Sequence, residues 1–84
     1  MAKVEIYTTP FCPFCVRAKQ YLQRQGVEYT EIDVAANSEL RREMTERSDG
    51  GRTVPQIFIN DQSIGGCDDL FELAMDGELD DLLA

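Results

Sequence analysis

Cys12 and Cys15, separated by Pro13 and Phe14, are the residues whose types and spacing most directly permit chemistry. Two thiols three positions apart can form a reversible disulfide, share a metal ion, or stand as inert structural groups. A thiolate, not a thiol, attacks disulfides, and a free cysteine with a pKa near ~8.5 is mostly protonated at neutral pH. A helix N-terminus lowers that value, because its first N–H groups lack helical partners and the peptide dipoles add there. Position therefore matters more than identity. Pro13 suits the first helical position, having no N–H to lose. The N–H groups of about residues 14 and 15 can then point at the Cys12 sulfur, while Cys15 lies one turn deeper and is less open to a bulky substrate. Cys12 is the expected attacker and Cys15 the resolver, the two forming the redox-active disulfide. Zinc would need four ligands, and the chain has no histidine and only Cys67 besides the pair.

The elements that must position this pair follow from periodicity. Val4, Ile6 and Tyr7-Thr8 form a short run of β-formers ended by Thr9-Pro10, a strand that delivers the chain to Cys12. From Pro13 to Gln25, Phe14, Ala18, Tyr21 and Leu22 fall at helical spacing, and Gly26 supplies the stop. Val27 to Val34 alternates as a second strand, completing a βαβ unit with parallel pairing. Asn37 or Ser38 can cap a helix running to about Arg47, its thin apolar stripe being Leu40 and Met44, and Asp49-Gly50-Gly51 breaks it. Pro55 to Ile59, Asn60-Asp61 and Gln62 to Ile64 spell a hairpin. After Gly65-Gly66, Asp68 or Asp69 can cap a last helical stretch carrying Leu70, Phe71 and Ala74, continued by Leu79, Leu82 and Leu83 after Gly77. The order is β-α-β-α-β-β-α, an α/β chain.

Bulk properties bound the possibilities. Eighty-four residues make one domain, residues 1–84, which removes only about 60–65% of its unfolded surface from water. An odd cysteine count excludes a fully paired secreted disulfide framework. No apolar run is long enough for a signal peptide or a bilayer span, so a soluble protein in a reducing cytoplasm is expected, with no membrane partner. The net charge of −8 argues against nucleic acid. Residues 1–52 hold every Lys and Arg balanced by eight acids, whereas residues 53–84 hold eight acids and no base.

Three motifs together resemble those of bacterial glutaredoxins: Cys12-Pro13-Phe14-Cys15 after a strand, Thr53-Val54-Pro55 before another, and Gly65-Gly66-Cys67-Asp68 before a helix. The similarity covers essentially the whole chain. It implies a thioredoxin-like fold with a central four-stranded mixed sheet flanked by helices, and a monomeric oxidoreductase that uses glutathione as electron donor without a permanently bound cofactor. Phe14, Thr53, Val54, Pro55, Gly66, Cys67 and Asp68 are then the glutathione-binding residues, with Arg41 or Arg42 for its second carboxylate. The resemblance also implies a cis Val54–Pro55 bond, peptide-like pairing of the Val54 backbone with glutathione, and a γ-glutamyl site at Gly65 to Asp68. Read from the residues alone, Pro55 can equally open an edge strand. By the same reading Gly65 to Asp68 can be a plain turn, the two arginines solvated helix charges, and Cys67 a small buried hydrophobe. Arg17 and Lys19 read as surface charges, Lys19 also as part of a positive rim.

Clients implied by the resemblance are protein disulfides and glutathionylated proteins, ribonucleotide reductase among the family's possibilities. Two departures stand out: Thr9 occupies a position where many relatives carry Lys, and Phe14 one where they often carry Tyr. Two rival readings share the CxxC: a redoxin fed by a thioredoxin-type reductase, and a [2Fe–2S] module held by Cys12 of two chains plus two glutathiones. The second and third motifs speak against the former, and Pro13 against the latter.

Overall fold

A computed structural model describes residues 2–84. Its elements run β1 (Val4–Thr8), α1 (Pro13–Arg24), β2 (Thr30–Asp33), α2 (Ser38–Arg47), β3 (Gln56–Ile59), β4 (Gln62–Gly65), α3 (Cys67–Met75) and α4 (Glu78–Leu83). The expected β-α-β-α-β-β-α order holds. The final helical stretch is, however, two helices, because Gly77 turns the chain at φ 78° and starts α4 afresh.

The strands line up as β2-β1-β3-β4. β1 pairs parallel with β2 and antiparallel with β3, and β3 pairs antiparallel with β4, so the sheet is mixed. Period-2 alternation then builds two cores. Val4 and Ile6 of β1 and Ile57 and Ile59 of β3 face Ala18 and Leu22 of α1, Leu70 of α3 and Leu79 of α4. Tyr7 and Phe58, from the intervening positions, face Val34 and Met44 on the other side, where α2 lies. Tyr7 and Phe58 meet edge to face with centroids 5.5 Å apart. Leu40 packs at the margin of this second cluster, completing the stripe expected of α2.

Some element ends differ from expectation. β2 begins at Thr30 and not at Val27, because Val27 closes α1: the Gly26 N–H donates to the Gln23 carbonyl and the Val27 N–H to that of Leu22, with Gly26 at φ 71°. The α3 cap is Gly66, neither Asp68 nor Asp69. Both acids sit in the first turn, where the Asp69 carboxylate accepts the Gly66 N–H at 2.8 Å. A Cβ on Gly65, at φ 109°, would collide with that carboxylate, so the residue before the cap must be glycine. Of the two cap candidates for α2, Asn37 is the one used; its side chain accepts the Leu40 N–H at 3.0 Å. Asn60 and Asp61 turn the hairpin with φ of 51° and 67°.

One residue stitches the second face together. Arg47, at the end of α2, donates to Glu5 of β1 at 2.9 Å and to the Tyr7 hydroxyl at 2.7 Å, and its guanidinium lies 4.1 Å from the centroid of the Phe58 ring. The Tyr7 hydroxyl in turn donates to Glu43 at 2.6 Å.

Candidate active site

β1 ends at Thr8, and the chain turns through Thr9-Pro10-Phe11 into α1. Cys12 is the N-cap of that helix and Pro13 its first residue. The Cys12 sulfur accepts the Cys15 N–H at 3.1 Å, so an otherwise unpartnered donor of the first turn is aimed at the group expected to carry negative charge. Cys12 is half-buried and Cys15 is 1% exposed; both are free thiols. Burial, then the hydrogen bond with Cys12, pushes the Cys15 thiol up to about 12. The depth difference inferred from the spacing is therefore present, and Cys15 stays protonated at neutral pH.

Opposite Cys12 stands the end of the loop before β3. The Val54–Pro55 bond is cis, as the resemblance implied. The Cys12 thiol donates to the Val54 carbonyl across 3.8 Å. Gln56 is buried and donates to the Thr53 carbonyl at 3.0 Å, which fixes the loop. From here a groove of about 440 Å³ runs between the loop and the start of α3. Phe14, Thr53, Val54, Pro55, Gly66, Cys67 and Asp68 all line it, so seven of the residues singled out from sequence converge. Gly65, the first residue of the third motif, lines it as well, and so do Gln56 and Asp69, which were not among the residues expected there. An acid three residues after a glycine was the available signal for Asp69; nothing in the sequence marked Gln56. A depression of about 730 Å³ between Lys3, Gln23 and Tyr29 is larger, but it contains no thiol and opens widely to solvent.

Arg41 and Arg42 are outside the groove lining. Arg41 is half-buried and donates to the Arg52 carbonyl at 3.3 Å, next to Thr53, whereas Arg42 is exposed. Arg17 lies 5.9 Å from the ring centroids of both Phe14 and Phe71, and its charge partly offsets the effect of burial, which raises the Cys67 thiol. Lys19 pairs with Glu31 at 2.9 Å, and Thr8 donates to the same carboxylate at 2.7 Å. Thr9, at the position of the absent lysine, acts through its backbone on Cys15, and the cation that acts on that thiol is Lys19.

Strand order, and a CxxC pair whose first sulfur caps the helix following β1, put this molecule in the thioredoxin-like class of dithiol proteins. Comparison with known proteins narrows the class. Residues 4–64 match the glutaredoxin family model. The chain is 54% identical over 83 residues to Glutaredoxin 3 of Escherichia coli K12, covering 99% of each. Its fold superimposes on the solution structure of glutaredoxin from Brucella melitensis with a TM-score of 0.85 at 55% identity, covering 99% of this chain and 89% of that one. It also superimposes on a buckwheat glutaredoxin–glutathione complex with a TM-score of 0.87 at 29% identity, covering 98% and 76%. The chain belongs to the glutaredoxin family, whose members are thiol oxidoreductases.

Proposed function

We propose that this protein reduces glutathionylated proteins and protein disulfides with glutathione as electron donor. The observation that carries this is the placement of the Cys12 sulfur: held by a helix-terminal N–H and facing the carbonyl of Val54, which itself lines a groove of about 440 Å³. In the first step the Cys12 thiolate attacks the glutathione sulfur of a mixed disulfide. A Cys12–glutathione disulfide forms, and the client leaves as a thiolate that takes up a proton. A second glutathione thiolate then attacks the glutathione sulfur of that intermediate, which releases oxidised glutathione and restores the Cys12 thiolate. With a protein disulfide, Cys12 first bonds to one client sulfur. Cys15 loses its proton as it displaces the client, and two glutathiones then reduce the Cys12–Cys15 disulfide.

In this reading the Val54 backbone pairs with the peptide part of glutathione. The first N–H groups of α3 take the γ-glutamyl carboxylate, and Asp68 takes the adjacent ammonium. Asp69 is already committed to the Gly66 N–H, which leaves Asp68 as the free acid of that turn. Arg41, anchored beside Thr53, is the better placed of the two arginines for the remaining carboxylate. The whole chain acts as one monomeric domain in the cytoplasm, with ribonucleotide reductase within the range of clients; among the described residues no helix is long and apolar enough to cross a membrane. A coupled assay tests the reading. Glutathione plus glutathione reductase should sustain turnover of a glutathionylated substrate, and turnover with thioredoxin reductase alone as electron source would overturn it.

A further inference from the structure

Phe11 has no role in the chemistry above and none in the core. Its side chain is fully exposed, at 102%, and its backbone sits at φ 62°, where a bulky residue with a Cβ is strained. Glycine would be the unstrained choice at such a position. The fold thus gains neither packing nor comfortable backbone from a phenylalanine there. Two more exposed apolar residues follow it closely in the chain, in the first turns of α1. Phe14 is 51% exposed, and Val16, one turn below Cys12 on α1, is 45% exposed. All three lie within four residues of Cys12 in the chain.

We infer that Phe11 is a specificity-determining residue: with Phe14 and Val16 it forms an apolar rim that seats a client polypeptide carrying apolar side chains beside the cysteine under attack. This deepens the proposed function and rests on it. Two observations select a polypeptide occupant. Phe11 is fully exposed and is not among the residues lining the groove proposed for glutathione, whereas Phe14 belongs to both surfaces. Phe11 also immediately precedes Cys12 in the chain, so an occupant that brings a disulfide to the Cys12 sulfur passes the adjoining exposed ring. An extended client strand advances about 3.3 Å per residue, so residues one or two places from its cysteine fall on the rim.

The test uses two glutathionylated hexapeptides of equal charge, one with leucine and one with serine on both sides of the cysteine, together with the mixed disulfide of glutathione and 2-mercaptoethanol. Wild-type protein should favour the leucine peptide over the serine peptide by about tenfold in kcat/KM, the size of one apolar contact. Phe11→Gly, which also relieves the backbone, and Phe11→Asn, which tolerates it, should both lower that ratio to within about threefold. A ratio that both variants leave unchanged, or a wild type indifferent to the flanking residues, overturns the assignment. So does a wild-type dimer that Phe11→Gly converts to monomer, which would give the rim to a second copy. Failure of wild type to turn over the 2-mercaptoethanol mixed disulfide would instead remove the glutathione reading, and this inference with it.

Discussion

Cys12→Ser is expected to abolish turnover of every disulfide substrate, by a factor of about 10³ or more. The two remaining thiols cannot replace it, since both Cys15 and Cys67 are buried and held protonated by that burial. Cys15→Ser should spare a glutathione mixed disulfide, which needs only Cys12 and a second glutathione, and should halt reduction of a protein disulfide at the mixed intermediate. Mass spectrometry of the trapped adduct distinguishes the two variants. Asp68→Asn should raise KM for a glutathionylated substrate about tenfold with kcat little changed, the cost of one charge-assisted contact. The reactive pair was legible in the sequence because spacing and Pro13 together define a strand-to-helix junction. Gln56 was not, since nothing marks a glutamine whose side chain turns back three residues to the Thr53 carbonyl, and Asp69 was read only as a possible cap, whereas its carboxylate accepts the Gly66 N–H from the first turn.

Elements in so short a chain depend on their ends. Asn37→Ala removes the side chain that accepts the Leu40 N–H and should cost about 1 kcal/mol, lowering Tm by roughly 4–8 °C in a calorimetric scan. Asn37→Asp should restore most of the loss, because the carboxylate accepts the same bond and complements the helix dipole. Helices read well from sequence because apolar spacing and stop residues are local: α1 departs from its expected end by one residue, Gln25 being its C-cap. β2 read less well. It is an edge strand with mostly exposed residues, and its apparent first member, Val27, is recruited by the α1 closure. Arg47 gave no signal beyond a cation in a helix's last turn. Its contacts with Glu5 and Tyr7 span 42 and 40 residues of sequence, and pairing at that range leaves no local mark.

At the scale of the whole molecule, stability should fall in alkali. The Cys15 thiol is raised from 9.0 to about 12 in the native protein. Above pH 9 the unfolded chain releases that proton and the native chain keeps it, so the native state binds more protons and the free energy of unfolding declines as pH rises. The contribution is fully present below pH 9 and is lost towards pH 12, at a slope of at most about 1.4 kcal/mol per pH unit for this group. Cys67 acts in the same direction. Urea midpoints measured in reductant from about pH 8 to about pH 11 should therefore fall, and fall less steeply in Cys15→Ala. The overall architecture was readable because each face of the central strands alternates cleanly, Val4 and Ile6 against Tyr7, Ile57 and Ile59 against Phe58. The strand order has one more consequence. β1 leads into Cys12 and β3 follows Val54-Pro55, and these two are the inner strands of the sheet. The partial openings that cost a protein least begin at its margins, here β2 and β4. Both lips of the reactive cleft are thus suspended from the part of the ladder that lets go last, so the aim of the sulfur survives local fraying and is lost only with cooperative collapse of the sheet.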